Sequence, residues 1–130
     1  MQLNITQVKG RLLKAEWEGH EVLSGKETKD GPYLAMPYGL YLHAGIGLCA
    51  TATTIRRLEE EGYDAENVKT TVDWKFDANA GIVTDFDVEI KVKSNIPKKE
   101  LLKIITDANN SFVTATIRNK PAKNVNIKLT

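Results

Sequence analysis

Residues 37–62 read PYGLYLHAGIGLCATATTIRRLEEEG, and the fold turns on them. Pro37 suits the first turn of a helix, where its missing N–H would have had no partner. Gly62 is a natural left-handed stop. Between them Leu40, Tyr41, Leu42, Ala44, Ile46, Leu48, Ala50, Ala52 and Ile55 put apolar surface around most of the circumference. Such a rod, roughly 37 Å long, calls for cover on more than one side. One sheet covers one face; a second copy of the chain is the simplest cover for the other. Gly45 and Gly47 each cost about 1 kcal/mol in mid-helix relative to alanine, which points to a close approach of another backbone, as where two long helices cross.

Working outward, 2–8 and 11–17 read as a hairpin around Lys9-Gly10, with Leu13, Ala15 and Trp17 alternating against Lys14 and Glu16. A short strand at His20–Leu23 follows the Gly19-His20 turn, and Ser24–Met36 is an aperiodic loop of a length that is either mobile or functional. Beyond the helix, Val68, Thr70, Val72, Trp74 and Phe76 alternate with polar residues, and Ile82 to Val92 repeats the pattern. That predicts a long antiparallel hairpin, one face on a core and one in water. Pro97 opens a second helix with Leu101, Ile104, Ile105 and Ala108 on one stripe, Phe112–Ile117 a short further helical piece, and Asn124–Leu129 a last strand. The expected class is α+β, an antiparallel sheet packed on a long central helix, in a single domain spanning 1–130.

The 130 residues carry a net charge of +1, with no global pull toward nucleic acid or membrane. Residues 1–88 hold nine basic and fourteen acidic groups, and 89–130 nine and three, an asymmetry that favours self-association. One cysteine excludes an internal disulfide and a CxxC metal or redox pair. With no basic-then-apolar leader and an apolar run too short to span a bilayer, the expected location is cytoplasmic. There is no P-loop or GxGxxG, and the lysines of 91–128 are not interleaved with exposed aromatics, so neither cofactor nor nucleic acid is expected.

Cys49 is the first candidate for chemistry. A lone cysteine on an apolar helix is commonly a small buried hydrophobe; a working thiolate needs a cation nearby. The candidates are Arg56, seven residues on along the same stripe, Lys26 or Lys29 of the loop, and Arg11; Thr53 stands at hydrogen-bonding spacing to the sulfur. His43 projects from another side of the helix, which argues against a Cys–His dyad. Asp85, Asp87 and Glu89 share one strand face, but with lysines beside them and no loop cage they read as a solvated surface and not as a metal site.

The stretch PYGLYLHAGIGLCATATTIRRLEEEGYDAENV resembles the central helix of the OsmC/Ohr family of hydroperoxide-resistance proteins, in which a Pro-initiated helix carries the peroxide-reacting cysteine. The hairpin 66–94, the helix after Pro97, the break at Ser111–Val113 and the final strand follow in that family's order. The resemblance implies an intertwined homodimer with two long helices packed centrally, and Cys49 as peroxidatic thiol acting on a hydroperoxide. It also marks departures. Ser111-Phe112-Val113 stands where the family's resolving cysteine usually lies, so a sulfenic acid on Cys49 needs an external thiol reductant. Tyr38-Gly39-Leu40 lacks the carboxylate that follows the proline, and Lys29 lies near the place of the activating arginine, which it does not replace point for point. Two functions are expected from this: a one-cysteine hydroperoxide reductase of oxidative stress defence, with Cys49, Arg56 and Lys29 at its site, or a non-catalytic homodimer binding a small apolar or oxidised ligand, with Cys49 as packing.

Overall fold

A computed structural model describes residues 2–130. The elements run β1 (Asn4–Lys9), β2 (Leu12–Trp17), β3 (His20–Ser24), α1 (Leu40–Glu60), β4 (Glu66–Asp77), β5 (Ile82–Lys93), α2 (Lys98–Asn109) and α3 (Phe112–Arg118). The class is α+β, with two antiparallel sheets, β1-β2-β3 and β4-β5, and a long helix. The chain forms two compact units, one ending at His43 and the other beginning at Ala44, with α1 running through the boundary.

In the first unit the β2–β3 turn is two residues, Glu18 and Gly19, both at positive φ (45° and 81°), the twist that lets Trp17 face His20 across the hairpin. Their rings stack with centroids 6.0 Å apart. The loop 24–36 is tied down rather than loose. Gly25 donates to the Met36 carbonyl at 3.3 Å, and its own carbonyl accepts from Leu34 and Ala35. The Arg11 N–H donates to the Glu27 carbonyl, and the Tyr38 hydroxyl to the Arg11 carbonyl. Lys26 lies 4.7 Å over the Tyr33 ring. The loop thereby satisfies its backbone against the β1–β2 turn and the run into α1.

The helix starts at Leu40 rather than Pro37 because Pro37–Gly39 are spent on turn hydrogen bonds to Leu40, Tyr41 and Leu42. Its far end is a Schellman cap: Gly62, at φ 79°, donates to Glu59 and Tyr63 to Leu58. One stripe is buried, at His43, Ile46, Ala50, Thr54 and Leu58. Leu58 is fully buried, so Leu58→Ala is expected to destabilise by about 3 kcal/mol, read as a lower urea midpoint at unchanged slope.

Gly47 lets α1 approach β4, since a Cβ there would sit 2.8 Å from Val72 Cγ2. The expected close contact is therefore with a strand side chain, while Gly45 meets Val113 only at an ordinary 3.9 Å. A Thr51–Thr70 hydroxyl contact of 2.5 Å latches the same place. The β4–β5 register, which alternation alone left open, sets Val72 opposite Val88 and Trp74 opposite Phe86.

The expected strand Asn124–Leu129 does not form: residues 121–130 are outside any sheet, with Val125, Ile127 and Leu129 71%, 86% and 97% exposed. Alternation makes a strand only where an edge accepts its backbone groups, and this segment pairs with none among the described residues.

Candidate functional site

Cys49 stands on α1 about 100° around from Ala50 and outside the buried stripe. It is partly exposed, beside Leu48, which at 69% exposure is the most open large hydrophobic side chain of the helix. Ala52 and Arg56 continue this uncovered flank. The thiol is thus not sealed in the core, and its neighbours along the helix are Leu48, Ala52, Thr53 and Arg56. Among the described residues no hydrogen bond reaches the sulfur, and Thr53 does not make the one its spacing allowed.

The candidate cations fall out differently. Arg56 shares the flank of Cys49, but Nη1 donates to Glu60 Oε1 at 2.9 Å. Arg57 binds both Glu60 and Glu61 and reaches Asp107 of α2 with its Nε at 3.0 Å. The hydrogen bonds from Arg56 and then Arg57 hold the Glu60 carboxyl below its ordinary range. The three C-terminal glutamates, unfavourable to the helix dipole, are thus largely answered by two arginines one turn earlier. Lys29 and Arg11 belong to the first unit and Cys49 to the second. His43 lies on the buried stripe with Nδ1 3.0 Å from the Gly39 carbonyl, apart from the cysteine flank.

Asp85 accepts from Thr84 at 2.8 Å, Asp87 faces Asp73 across the hairpin and Glu89 pairs with Lys91 at 3.4 Å, the arrangement of a solvated charged face. Ser111 is 5% exposed at the N-cap of α3, yet its hydroxyl caps nothing and has no partner among the described residues. Ser111→Ala is therefore expected to raise stability by about 1 kcal/mol in urea denaturation. A fall instead would mean the hydroxyl is in use.

Sequence reasoning missed a concavity. A groove of about 650 Å³ lies along β5, between α2, α3 and the Ile46–Ala50–Thr54 flank of α1, and Cys49 does not line it. The alternation of β5 predicts a core-facing side there, and nothing in the sequence singles out Arg118 at its edge. No helix among the described residues is long and apolar enough to cross a membrane.

Residues 39–126, more than half of the chain, match the model of the family described as OsmC-like protein. Among curated proteins no sequence matches. Three solved structures share the fold. One, from Psychrobacter arcticus, is assigned to an osmotic stress induced and detoxification response; it is 12% identical with TM-score 0.77, covering 89% of this chain and 87% of that one. An OsmC-like protein of Mycoplasma pneumoniae is 13% identical with TM-score 0.74, at 91% and 88% coverage. An OsmC-like protein of Vibrio cholerae is 12% identical with TM-score 0.63, at 88% and 91%.

Proposed function

The chain belongs to the OsmC-like protein family, and from that premise we propose that it is a one-cysteine, thiol-dependent hydroperoxide reductase working as a homodimer in a stress or detoxification response. The observation that carries this reading is the partial exposure of Cys49, beside the exposed Leu48 on α1. The Cys49 thiolate attacks the distal oxygen of ROOH; the O–O bond breaks, the alkoxide takes up the proton the thiol had given to solvent and leaves as ROH, and the sulfur is oxidised to sulfenic acid. An external thiol then condenses with the sulfenic acid, releasing water and forming a mixed disulfide. A second thiol attacks that disulfide and returns Cys49 reduced. The balance is ROOH plus two thiols giving ROH, water and a disulfide. With one cysteine in the chain, both reducing equivalents come from outside.

The dimer is part of the proposal. Leu48 on α1 is 69% exposed, and on the first sheet Ile5 and Trp17 are 58% and 48% exposed. Separate apolar areas of this kind are what a second copy would bury. Each is needed cover for a face that the sequence made apolar.

Trapping tests the chemistry. Protein treated with one equivalent of cumene hydroperoxide is reacted with dimedone and mapped by mass spectrometry. The expected adduct is on Cys49, absent when a dithiol precedes dimedone. Oxidation confined to methionine, with no adduct, would sink the reading and favour the non-catalytic binding protein, for which the β5 groove is the supporting feature.

A further inference from the structure

We propose that the groove along β5 is a binding site for an anionic amphiphile of the alkyl carboxylate class. It holds whichever reading of Cys49 is right, because it lies on another flank of α1. At about 650 Å³ the groove falls in the size range of small-molecule sites. Its walls are apolar where an alkyl chain would lie, with Phe86 and Val88 from β5, Ile104 from α2 and Ile46 from α1. At its edge stands the one cationic side chain of the lining, Arg118.

The state of that guanidinium selects the ligand. Asn110 donates from Nδ2 to the Thr106 carbonyl at 2.9 Å, which fixes its amide against α2. Its Oδ1 then accepts from Arg118 Nη1 at 2.6 Å. Arg118 is therefore positioned by a neutral group, and no ion pair joins it to a carboxylate among the described residues. A guanidinium has five N–H donors in a planar fork matched to a carboxylate, and four remain here after the bond to Asn110. The single carboxylate of the lining, Glu89, is engaged by Lys91 at 3.4 Å and sits opposite Thr71, with the outward set of β5 and not with Phe86 and Val88. One held cation at the edge of an apolar trough asks for one negative charge on an apolar chain. A sugar phosphate would leave the trough unfilled, and a neutral chain would leave the fork unanswered.

The test uses the full chain and decanoate, below its micelle concentration, titrated by calorimetry with decanol as the uncharged comparison. Decanoate is expected to bind saturably, one per chain. Arg118→Gln is expected to weaken decanoate about tenfold and leave decanol unchanged, and Arg118→Lys to fall between because charge survives and the fork does not. Cys49→Ser should bind as wild type. Three results would overturn the proposal: no saturable binding, equal affinity for decanoate and decanol with no effect of Arg118→Gln, or loss of binding in Cys49→Ser.

Discussion

Cys49→Ser is expected to reduce thiol-dependent consumption of cumene hydroperoxide to the uncatalysed rate while leaving the circular dichroism spectrum and the oligomeric state as in the wild type. The expectation rests on what sulfur does in the proposed cycle. It is the nucleophile, and it is also the only atom of the chain that can pass through sulfenic acid and return by exchange with a thiol. A serine hydroxyl at the same place is held as an alcohol near neutral pH and has no corresponding oxidation state to cycle through. The structural side of the prediction follows from exposure. Cys49 is not one of the buried stripe residues, and serine differs from it by a single atom, so the exchange leaves the packing of the buried stripe as it is. Coupled measurement of peroxide loss and thiol oxidation, at two thiols per peroxide, distinguishes turnover from a single stoichiometric oxidation. If wild type and Cys49→Ser consume peroxide equally, the cysteine is packing and the family fold serves binding here.

The elements were legible where local pattern and tertiary demand agree. The β4–β5 hairpin was readable from Val68 to Val72 and from Phe86 to Val92, where half-buried and exposed residues alternate. Toward the turn a register shift after Lys75 pairs Phe76 with Val83 and breaks the pattern, leaving Trp74, Phe76 and Ile82 exposed and Val83 half-buried. The cap at Gly62 was readable because only a positive φ closes that helix end in this way. The start of α1 was misplaced because a proline marks the neighbourhood of a helix start without saying which turn bonds precede it; Pro37–Gly39 went to turns. The tail failed for a different reason. Val125, Ile127 and Leu129 have strand periodicity, but a strand is a relation to an edge, and no sequence states which edge is free. At the site, the residue was legible and its environment was not. Cys49 stood out as a unique side chain on an apolar helix, yet Arg56, its nearest candidate cation by spacing, turned to Glu60 at 2.9 Å. Arg118 had no signal at all, because its position depends on an asparagine eight residues earlier at the junction of two helices.

Gly10→Ala is expected to destabilise the first unit by about 4 kcal/mol, among the largest effects of any single methyl group. Gly10 sits at φ 58°, the left-handed region, which alone costs an alanine about 1 kcal/mol or more. The larger part comes from where the methyl would go. A Cβ built there lies 1.7 Å from the Glu27 carbonyl oxygen and 2.8 Å from its carbon, backbone atoms that no side-chain rotation can move aside. Relief requires shifting the Glu27 peptide, and that peptide accepts the Arg11 N–H at 3.2 Å, the tie that fastens the 24–36 loop to the β1–β2 turn. The Lys9–Glu27 ion pair, on exposed side chains, is too weak to hold the loop once the backbone bond is lost. Trp17 provides the readout, since it lies at the end of β2 in this unit and the only other tryptophan, Trp74, lies in the second. In a Trp74→Phe background, urea unfolding followed by Trp17 fluorescence should shift to a much lower midpoint for Gly10→Ala. Gly19→Ala gives the control: its φ is 81°, but no atom lies within 4 Å of the added methyl, so it should show the backbone cost without the clash. Equal midpoints for the two variants would mean that the loop yields freely, and that the Glu27 tie does not hold the unit together.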